Sequence, residues 1–252
     1  MSEREVLELD VLFVGAGPAS LAGAIHLQKL LKETGRVASV AILEKAAEVG
    51  GHSLSGAIVD PRALLELLPD YESQNIPFES EVTEEHLYYL TAGKKFSFPF
   101  IPSAMSHHGC FVASLGKLNR WMGEYCENQG VDIFCGFSGT ELLYNGDQVI
   151  GVRTGDRGIN KDGEKKPQYE PGADIHAKVV ILGEGTRGNL TKKLIQRHNL
   201  MEGKNPQVWA VGVKELWQMP SGTVPPGFVA HSMGFPLGHD IFGGAFLYGM
   251  QN

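Results

Sequence analysis

The chain has 252 residues, with 22 Lys and Arg against 29 Asp and Glu, a formal charge of −7. That balance excludes the basic stripe of a nucleic-acid binder, and 42% hydrophobic with 20% charged residues excludes a disordered chain. No run approaches the ~18 consecutive apolar residues of a spanning helix, and the length suits one large domain or two modest ones. The first residues, Met1 to Glu5, lack the basic, apolar and small-residue order of a signal peptide, which predicts an intracellular location. Cys110, Cys126 and Cys135 are too few and too irregularly spaced for a disulfide framework. Glycine is the unusual component: 32 residues is nearly twice the average share of about 7%. It predicts many tight turns or close backbone approaches.

Val11-Leu12-Phe13-Val14 reads as a strand buried on both faces of a parallel sheet. Gly15-Ala16-Gly17-Pro18-Ala19-Ser20 follows at once, then Leu21, Ala24, Ile25 and Leu31 at helical spacing, widened by Leu27 and Leu30. Gly35 stops that helix, and a second apolar run from Val37 to Leu43 ends on Glu44. Strand, glycine turn, helix, strand and acid in this order form a dinucleotide-binding βαβ fingerprint. Gly15 allows the tight turn. Gly17 leaves room for a pyrophosphate against the N–H groups that open the helix, where the dipole favours an anion. Ser20 stands at the third glycine position and is small enough for close packing. Glu44 is the acceptor for adenosine ribose hydroxyls, and its charge disfavours a 2′-phosphate. It lies 29 positions after Gly15, against roughly 20 in the general pattern, so the helix and its exit are extended.

The stretch after Glu44, Lys45 to Ser53, carries Gly50-Gly51-His52 where a plain NAD domain would start another crossover helix. It reads either as a surface turn or as backbone passing closely under a larger cofactor. Asp60-Pro61 opens a short helix through Leu64, Leu65, Leu67 and Leu68. Tyr88-Tyr89-Leu90 and Phe96-Ser97-Phe98-Pro99-Phe100-Ile101-Pro102 form two apolar arms, with Lys94 and Lys95 at the turn. The prolines confine these arms to an edge hairpin or an exposed loop. By sequence alone the hairpin either folds onto the core or faces a membrane. Ile133 to Thr154 reads as strands around a turn at Asn145-Gly146. Ile175 to Leu182 is a further buried strand, followed by Gly183-Glu184-Gly185 and a helix from Leu190 to His198. A late strand ending in Gly-x-Gly resembles the second flavin-contact motif of large FAD enzymes, so FAD is favoured over NAD. The histidines at 107, 108, 231 and 239 lack metal spacing and read as solvated or hydrogen-bonded structural residues. No nucleophile–base–acid set is present, so there is no catalytic side chain to name; a flavin carries its own redox chemistry.

Several further segments are specific. Leu54-Ser55-Gly56-Ala57 with Asp60-Pro61, His108-Gly109, Ser114-Leu115-Gly116 and Gly158-Ile159 with Lys161-Asp162-Gly163 come first. His176-Ala177-Lys178, Glu184-Gly185, Lys214-Glu215-Leu216-Trp217 and Gly243 to Tyr248 complete the series. In this order they resemble the electron transfer flavoprotein–ubiquinone oxidoreductase family from about residue 10 to the last residue. The resemblance implies an α/β fold: an FAD-binding, Rossmann-like domain of the glutathione-reductase type with an inserted, smaller mixed α/β quinone-binding domain. It divides the chain into a leading FAD-binding segment (8–75), the apolar hairpin of the quinone and membrane domain (76–110), a returning FAD-binding segment (111–200) and a quinone-binding segment (201–252). Its implied cofactor contacts are Gly15, Ala16, Gly17, Pro18, Ala19, Ser20, Glu44, Lys45, Gly51, His52, Leu54, Ser55, Gly183, Glu184 and Gly185. Gly243 and Gly244 match the pair whose backbone meets the ubiquinone head group, although without the family they would read as a β-bulge. Phe96, Phe98, Phe100 and Ile101 become membrane contacts, and the short helix after Pro61 is a second contact or ordinary core.

The implied activity is FAD-dependent electron transfer from reduced electron transfer flavoprotein to ubiquinone, by a peripheral protein on the cytoplasmic face of a bacterial-type inner membrane. The family also carries a [4Fe–4S] cluster on four cysteines in a C-terminal portion roughly as long again. The spacings here match no cluster signature, so no metal ligand is assigned, the chain reads as a truncated N-terminal piece, and it is expected to be inactive alone. Two rivals stay open: a geranylgeranyl-reductase-like or hydroxylase-like flavoenzyme, and a non-catalytic binding protein on the same fold.

Overall fold

The computed structural model describes residues 4–54, 56–238 and 240–251. The elements in chain order begin with β1 (Val6–Val14), α1 (Pro18–Glu33), β2 (Val40–Glu44), β3 (Ala57–Val59) and α2 (Arg62–Leu67). Then come β4 (Phe78–Glu81), β5 (Glu84–Leu90), β6 (Lys95–Ser97), β7 (Phe111–Ala113) and α3 (Leu115–Asn128). The chain continues through β8 (Asp132–Cys135), β9 (Gly139–Asn145), β10 (Gln148–Thr154), β11 (Arg157–Ile159) and β12 (Lys165–Glu170). It closes with β13 (Asp174–Leu182), α4 (Asn189–Arg197), β14 (Phe228–Gly234) and β15 (Ala245–Tyr248). Contacts divide it into two interleaved units, Met1–Ser53 with Asn119–Gly212 and Leu54–Leu118 with Val213–Asn252.

The first unit is a Rossmann-like α/β unit around a six-stranded sheet in the order β8-β2-β1-β13-β10-β9. The first four strands run parallel, and β10 and β9 are antiparallel to their neighbours. β1 is central because its apolar run can be covered on both faces, and Leu12, Val14, Leu43, Val152, Ile175 and Leu190 share one core cluster. Helix α1 buries Leu21, Ala24 and Ile25 as its periodicity predicts, but Gln28 is buried and Leu30 exposed. Its stop is built as expected: Gly35 has φ +62, and its N–H and that of Arg36 reach back to the carbonyls of Lys32 and Leu31. The strand after it begins at Val40 rather than Val37, which is 98% exposed. Asn145-Gly146 does form the hairpin between β9 and β10, with Gly146 at φ +61.

The second unit has two small sheets. One is four-stranded, β15-β14-β5-β6, and the other is three-stranded, β3-β7-β4. β14 pairs with β5 in parallel although the two are separated by more than a hundred residues of chain, and β15 returns antiparallel to β14. β6 lies at the sheet edge, the place left to a segment that runs directly into Pro99. Val82, Val112 and Val229 form the small core, with Ile58, Cys110, Tyr248 and Met250 against it.

Candidate functional site

In the first unit, the glycine loop lies where the parallel strands end at their carboxyl edge. The Gly15 N–H donates to the Leu43 carbonyl at 2.7 Å, and the Gly183 N–H donates to the Val14 carbonyl at 2.9 Å. Thus the ends of β1, β2 and β13 are tied together, and both predicted glycine motifs meet there. Gly15 has φ +96, and a Cβ on it would lie 2.6 Å from the Gly183 oxygen. Only glycine fits. On Gly183 a Cβ would strike the Ser20 hydroxyl, so the serine at the third glycine position packs directly against the second motif.

Gly17 has the opposite character. It is the N-cap of α1, with φ −84 and no side-chain cap, and a Cβ on it would meet nothing within 4 Å. The first turn of α1 contains no acidic residue. A helix N-terminus with open N–H groups beside open space suits an anion such as a pyrophosphate. Pro18 occupies the first turn, where its missing N–H is harmless, while Ala19 is exposed.

Glu44 is buried at the end of β2, next to this cradle. Its Oε2 accepts from the Ala16 N–H at 2.8 Å and its Oε1 from the Ala46 N–H at 2.7 Å. The carboxylate therefore holds the glycine loop against the strand end, and each oxygen keeps acceptor capacity for a ribose hydroxyl. Lys45, Gly51 and His52 are exposed beyond it. Ser53 closes the loop by accepting a hydrogen bond from Asn119 of α3 at 2.8 Å. Leu54 begins the second unit, and Ser55 lies outside the described residues.

Glu184 has a local duty that its motif does not announce. Its carboxylate accepts from the N–H groups of Leu190 and Thr191 at 3.1 and 2.7 Å and from the Thr191 hydroxyl at 2.8 Å, capping α4. The backbone from Gly183 to Gly185 is what the motif leaves free to face a cofactor.

In the second unit, the hairpin arms are β5 and β6, with the Thr91 N–H donating to the Lys94 carbonyl across the turn. Phe96, Phe98 and Phe100 are 52%, 40% and 66% exposed, and Ile101 is half-buried. Lys95 Nζ lies over the Tyr88 ring at 4.3 Å. Gly243 and Gly244 precede β15, and a Cβ on Gly244 would lie 2.3 Å from the Ser232 carbonyl oxygen. The Lys214 ammonium donates to the Gly56 carbonyl, tying the Lys214-to-Trp217 segment to the start of this unit.

One group here departs from the sequence reading. His231 is buried rather than solvated, and among the described residues neither ring nitrogen has a hydrogen-bond partner. Burial holds its imidazole below the ordinary histidine value, His107 pushes the same way, and the Glu85 carboxylate opposes them. Alternation along β14 puts His231 on the face of fully buried Val229, which is the signal that could have found it.

The three cysteines are free thiols. Cys110 belongs to the second unit and Cys126 and Cys135 to the first; burial pushes the Cys126 thiol up to about 12. Among the described residues, no group of three or more His, Cys, Asp or Glu could hold a metal ion, and no helix is long and apolar enough to cross a membrane.

A family profile described as "ETF-QO, ubiquinone-binding" matches residues 209–252, and one described as an NAD(P)-binding Rossmann-like domain matches residues 14–77. Electron transfer flavoprotein–ubiquinone oxidoreductases of Arabidopsis thaliana and Mus musculus are each 42% identical to the chain, over 99% and 98% of its length. A probable enzyme of the same name from Acinetobacter baylyi is 41% identical over 99% of the chain. The chain spans only 39%, 40% and 45% of these three relatives. Among solved structures, a geranylgeranyl bacteriochlorophyll reductase-like protein from Thermoplasma acidophilum superposes with a TM-score of 0.60. It is 16% identical and covers 91% of this chain and 51% of its own, so the likeness is one of fold.

Proposed function

We propose, for a chain that belongs to the electron transfer flavoprotein–ubiquinone oxidoreductase family over the stretch it spans, that it forms the main FAD-binding portion and some of the quinone site of such an enzyme. The whole enzyme takes electrons from reduced electron transfer flavoprotein and reduces ubiquinone to ubiquinol. The observation that carries this reading is the identity of about 40% across both units, with the ubiquinone-binding profile on residues 209–252.

FAD, when bound, supplies the electron-accepting and electron-donating chemistry. The residues of the first unit fit it: Gly17 and the N–H groups opening α1 take the pyrophosphate, and Glu44 takes the ribose hydroxyls. Ala16, Pro18, Ala19 and Ser20 shape that cradle, and Lys45, Gly51, His52, Leu54, Ser55 and the backbone of Gly183, Glu184 and Gly185 complete the cofactor contacts. FAD binding is thus assigned to 8–75 and 111–200, and quinone binding to the hairpin at 76–110 and to 201–252. Gly243 and Gly244 offer uncovered backbone to the quinone head group.

A [4Fe–4S] cluster does not fit the three cysteines present, which form no metal-holding group among the described residues. We place the protein peripherally on the cytoplasmic face of a bacterial-type inner membrane, with Phe96, Phe98, Phe100 and Ile101 in the lipid. What supports this is the exposure of three aromatic side chains on one short edge segment.

The test is a steady-state assay with reduced electron transfer flavoprotein as donor and a short-chain ubiquinone as acceptor, run on the complete enzyme and on the 252-residue chain. The complete enzyme is expected to turn over, and the chain alone to bind flavin substoichiometrically without turnover. A complete enzyme that binds FAD but leaves quinone untouched overturns the reading.

A further inference from the structure

Strand pairing in the second unit brings together groups that are far apart in the chain. His231 of β14 stands opposite Leu87 of β5 on one side and Phe246 of β15 on the other. Glu85 shares the face of Leu87. Its carboxylate accepts from the His107 N–H at 2.6 Å and from the Ser106 hydroxyl at 3.0 Å, with His107 Nδ1 also at 3.0 Å. The His107 ring stacks on the His231 ring, centroids 5.1 Å apart and planes at 15°. Phe246 meets His231 edge-on, also at 5.1 Å.

His231 is 7% exposed, and both of its nitrogens lack a partner among the described residues. The fold does not need an imidazole there, because an apolar side chain would fill the same space and leave nothing unsatisfied. A buried donor and acceptor without protein partners call for a ligand or water. The Gly243-Gly244 pair is close by in the ladder: Ala245 pairs with Ser232, next to His231, and Gly244 abuts the Ser232 carbonyl.

We propose that His231 is the acid–base residue of the quinone pocket, relaying one proton to a quinone oxygen while the Glu85–His107 pair resupplies it. This rests on the quinone reading above. Reduction adds two electrons, from the flavin, and two protons, one to each carbonyl oxygen. At the oxygen facing His231, an O–H bond forms as an N–H bond on one imidazole nitrogen breaks. The other nitrogen gains a proton from the His107–Glu85 side through water at the edges of the stacked rings, and that pair regains its proton from solvent. The far oxygen takes its proton from water. Giving at one nitrogen and receiving at the other keeps the ring neutral, which agrees with an environment that disfavours imidazolium. The groups bearing on the ring are His107 and Glu85, while Cys110 and Tyr248 pack around Val229 on the same face.

The experiment is His231→Gln in the complete flavoenzyme, since glutamine hydrogen-bonds but does not relay a proton. Quinone turnover is expected to fall at least ~10-fold, to gain a larger solvent isotope effect and to lose the parent's pH profile. Reduction of ferricenium by the same donor, which takes an electron and no proton, should stay within about two-fold of the parent. Independently of activity, imidazole ¹⁵N signals of His231 should shift when a short-chain quinone is added. Quinone turnover and pH profile unchanged in His231→Gln beside a working parent, equal loss toward both acceptors, or ¹⁵N signals indifferent to quinone each overturn the proposal. A parent that reduces ferricenium but not quinone overturns the functional reading, and this one with it.

Discussion

The two glycine-bearing sites differ in how they are built. In the first unit, Gly15, Gly17 and Glu44 lie within one βαβ segment, and the polar group at its heart, Glu44, is held on both oxygens by nearby backbone N–H groups. In the second, Gly244 reaches His231 through the pairing of β14 with β15, and Glu85 reaches it only through the parallel pairing of β14 with distant β5. The polar group at the heart of that site, His231, has no partner among the described residues. In the first site nearby backbone satisfies the carboxylate, although the Ser20 hydroxyl has no partner among the described residues; in the second the buried imidazole is left for a ligand to complete.

The largest effect we expect tests the outer edge of the second unit. Replacing Phe98 and Phe100 with Asp in the complete protein should release it from liposomes, because two aromatic side chains contribute about 3–6 kcal/mol of transfer free energy. Flotation measures it, and equal flotation of parent and mutant would return the hairpin to a solvent-facing role.

Within the first unit, two glycines of one motif should respond in opposite ways. Gly15→Ala puts a Cβ against the Gly183 carbonyl at φ +96 and should destabilise the fold by about 2–4 kcal/mol, read by urea unfolding. Gly17→Val has open space around it and should cost the apoprotein no more than about 1 kcal/mol, the preference of an N-cap for glycine over valine. It should nonetheless weaken FAD by on the order of 100-fold, since a clash of about 3 kcal/mol falls on the pyrophosphate. Flavin absorbance of the purified variants separates the two, and normal flavin retention in Gly17→Val would move the cofactor elsewhere.

Glu44→Gln sharpens the claim that nearby backbone N–H groups satisfy the carboxylate of the first site. One of the N–H groups of Ala16 and Ala46 would face an amide donor, and the cost should be about 1–3 kcal/mol in unfolding free energy. No loss would mean that the carboxylate is not holding the loop.

The smallest effect concerns pH. The His231 value is lowered in the fold, so the unfolded chain binds the proton more readily. The stability this residue permits is therefore complete above the ordinary histidine value, about 6.5, and declines as pH falls below it. Urea melts of parent and His231→Leu between pH 5 and 8 should converge toward high pH in their pH dependence, with the leucine variant losing less on acidification. Parallel curves would show that Glu85 and His107 keep the folded ring as easily protonated as the unfolded one.

The sequence by itself determined the first unit closely. Apolar runs, the glycine turn, the Gly35 stop and the Asn145-Gly146 hairpin are local signals, each fixed by backbone conformation or burial within a few residues. It also kept the phenylalanines out of a central strand, in an edge hairpin or an exposed loop, since Pro99 and Pro102 cannot serve a central strand. It did not reveal that Glu184 caps α4, which requires the loop to fold back over six residues, nor that Gln28 rather than Leu30 is buried on α1. Above all it read His231 as satisfied or solvated. A histidine's environment is set by whichever strands pair beside it, and here those neighbours come from residues 84–90 and 245–248. Long-range pairing decides burial and partners, and no local pattern encodes which distant strand arrives.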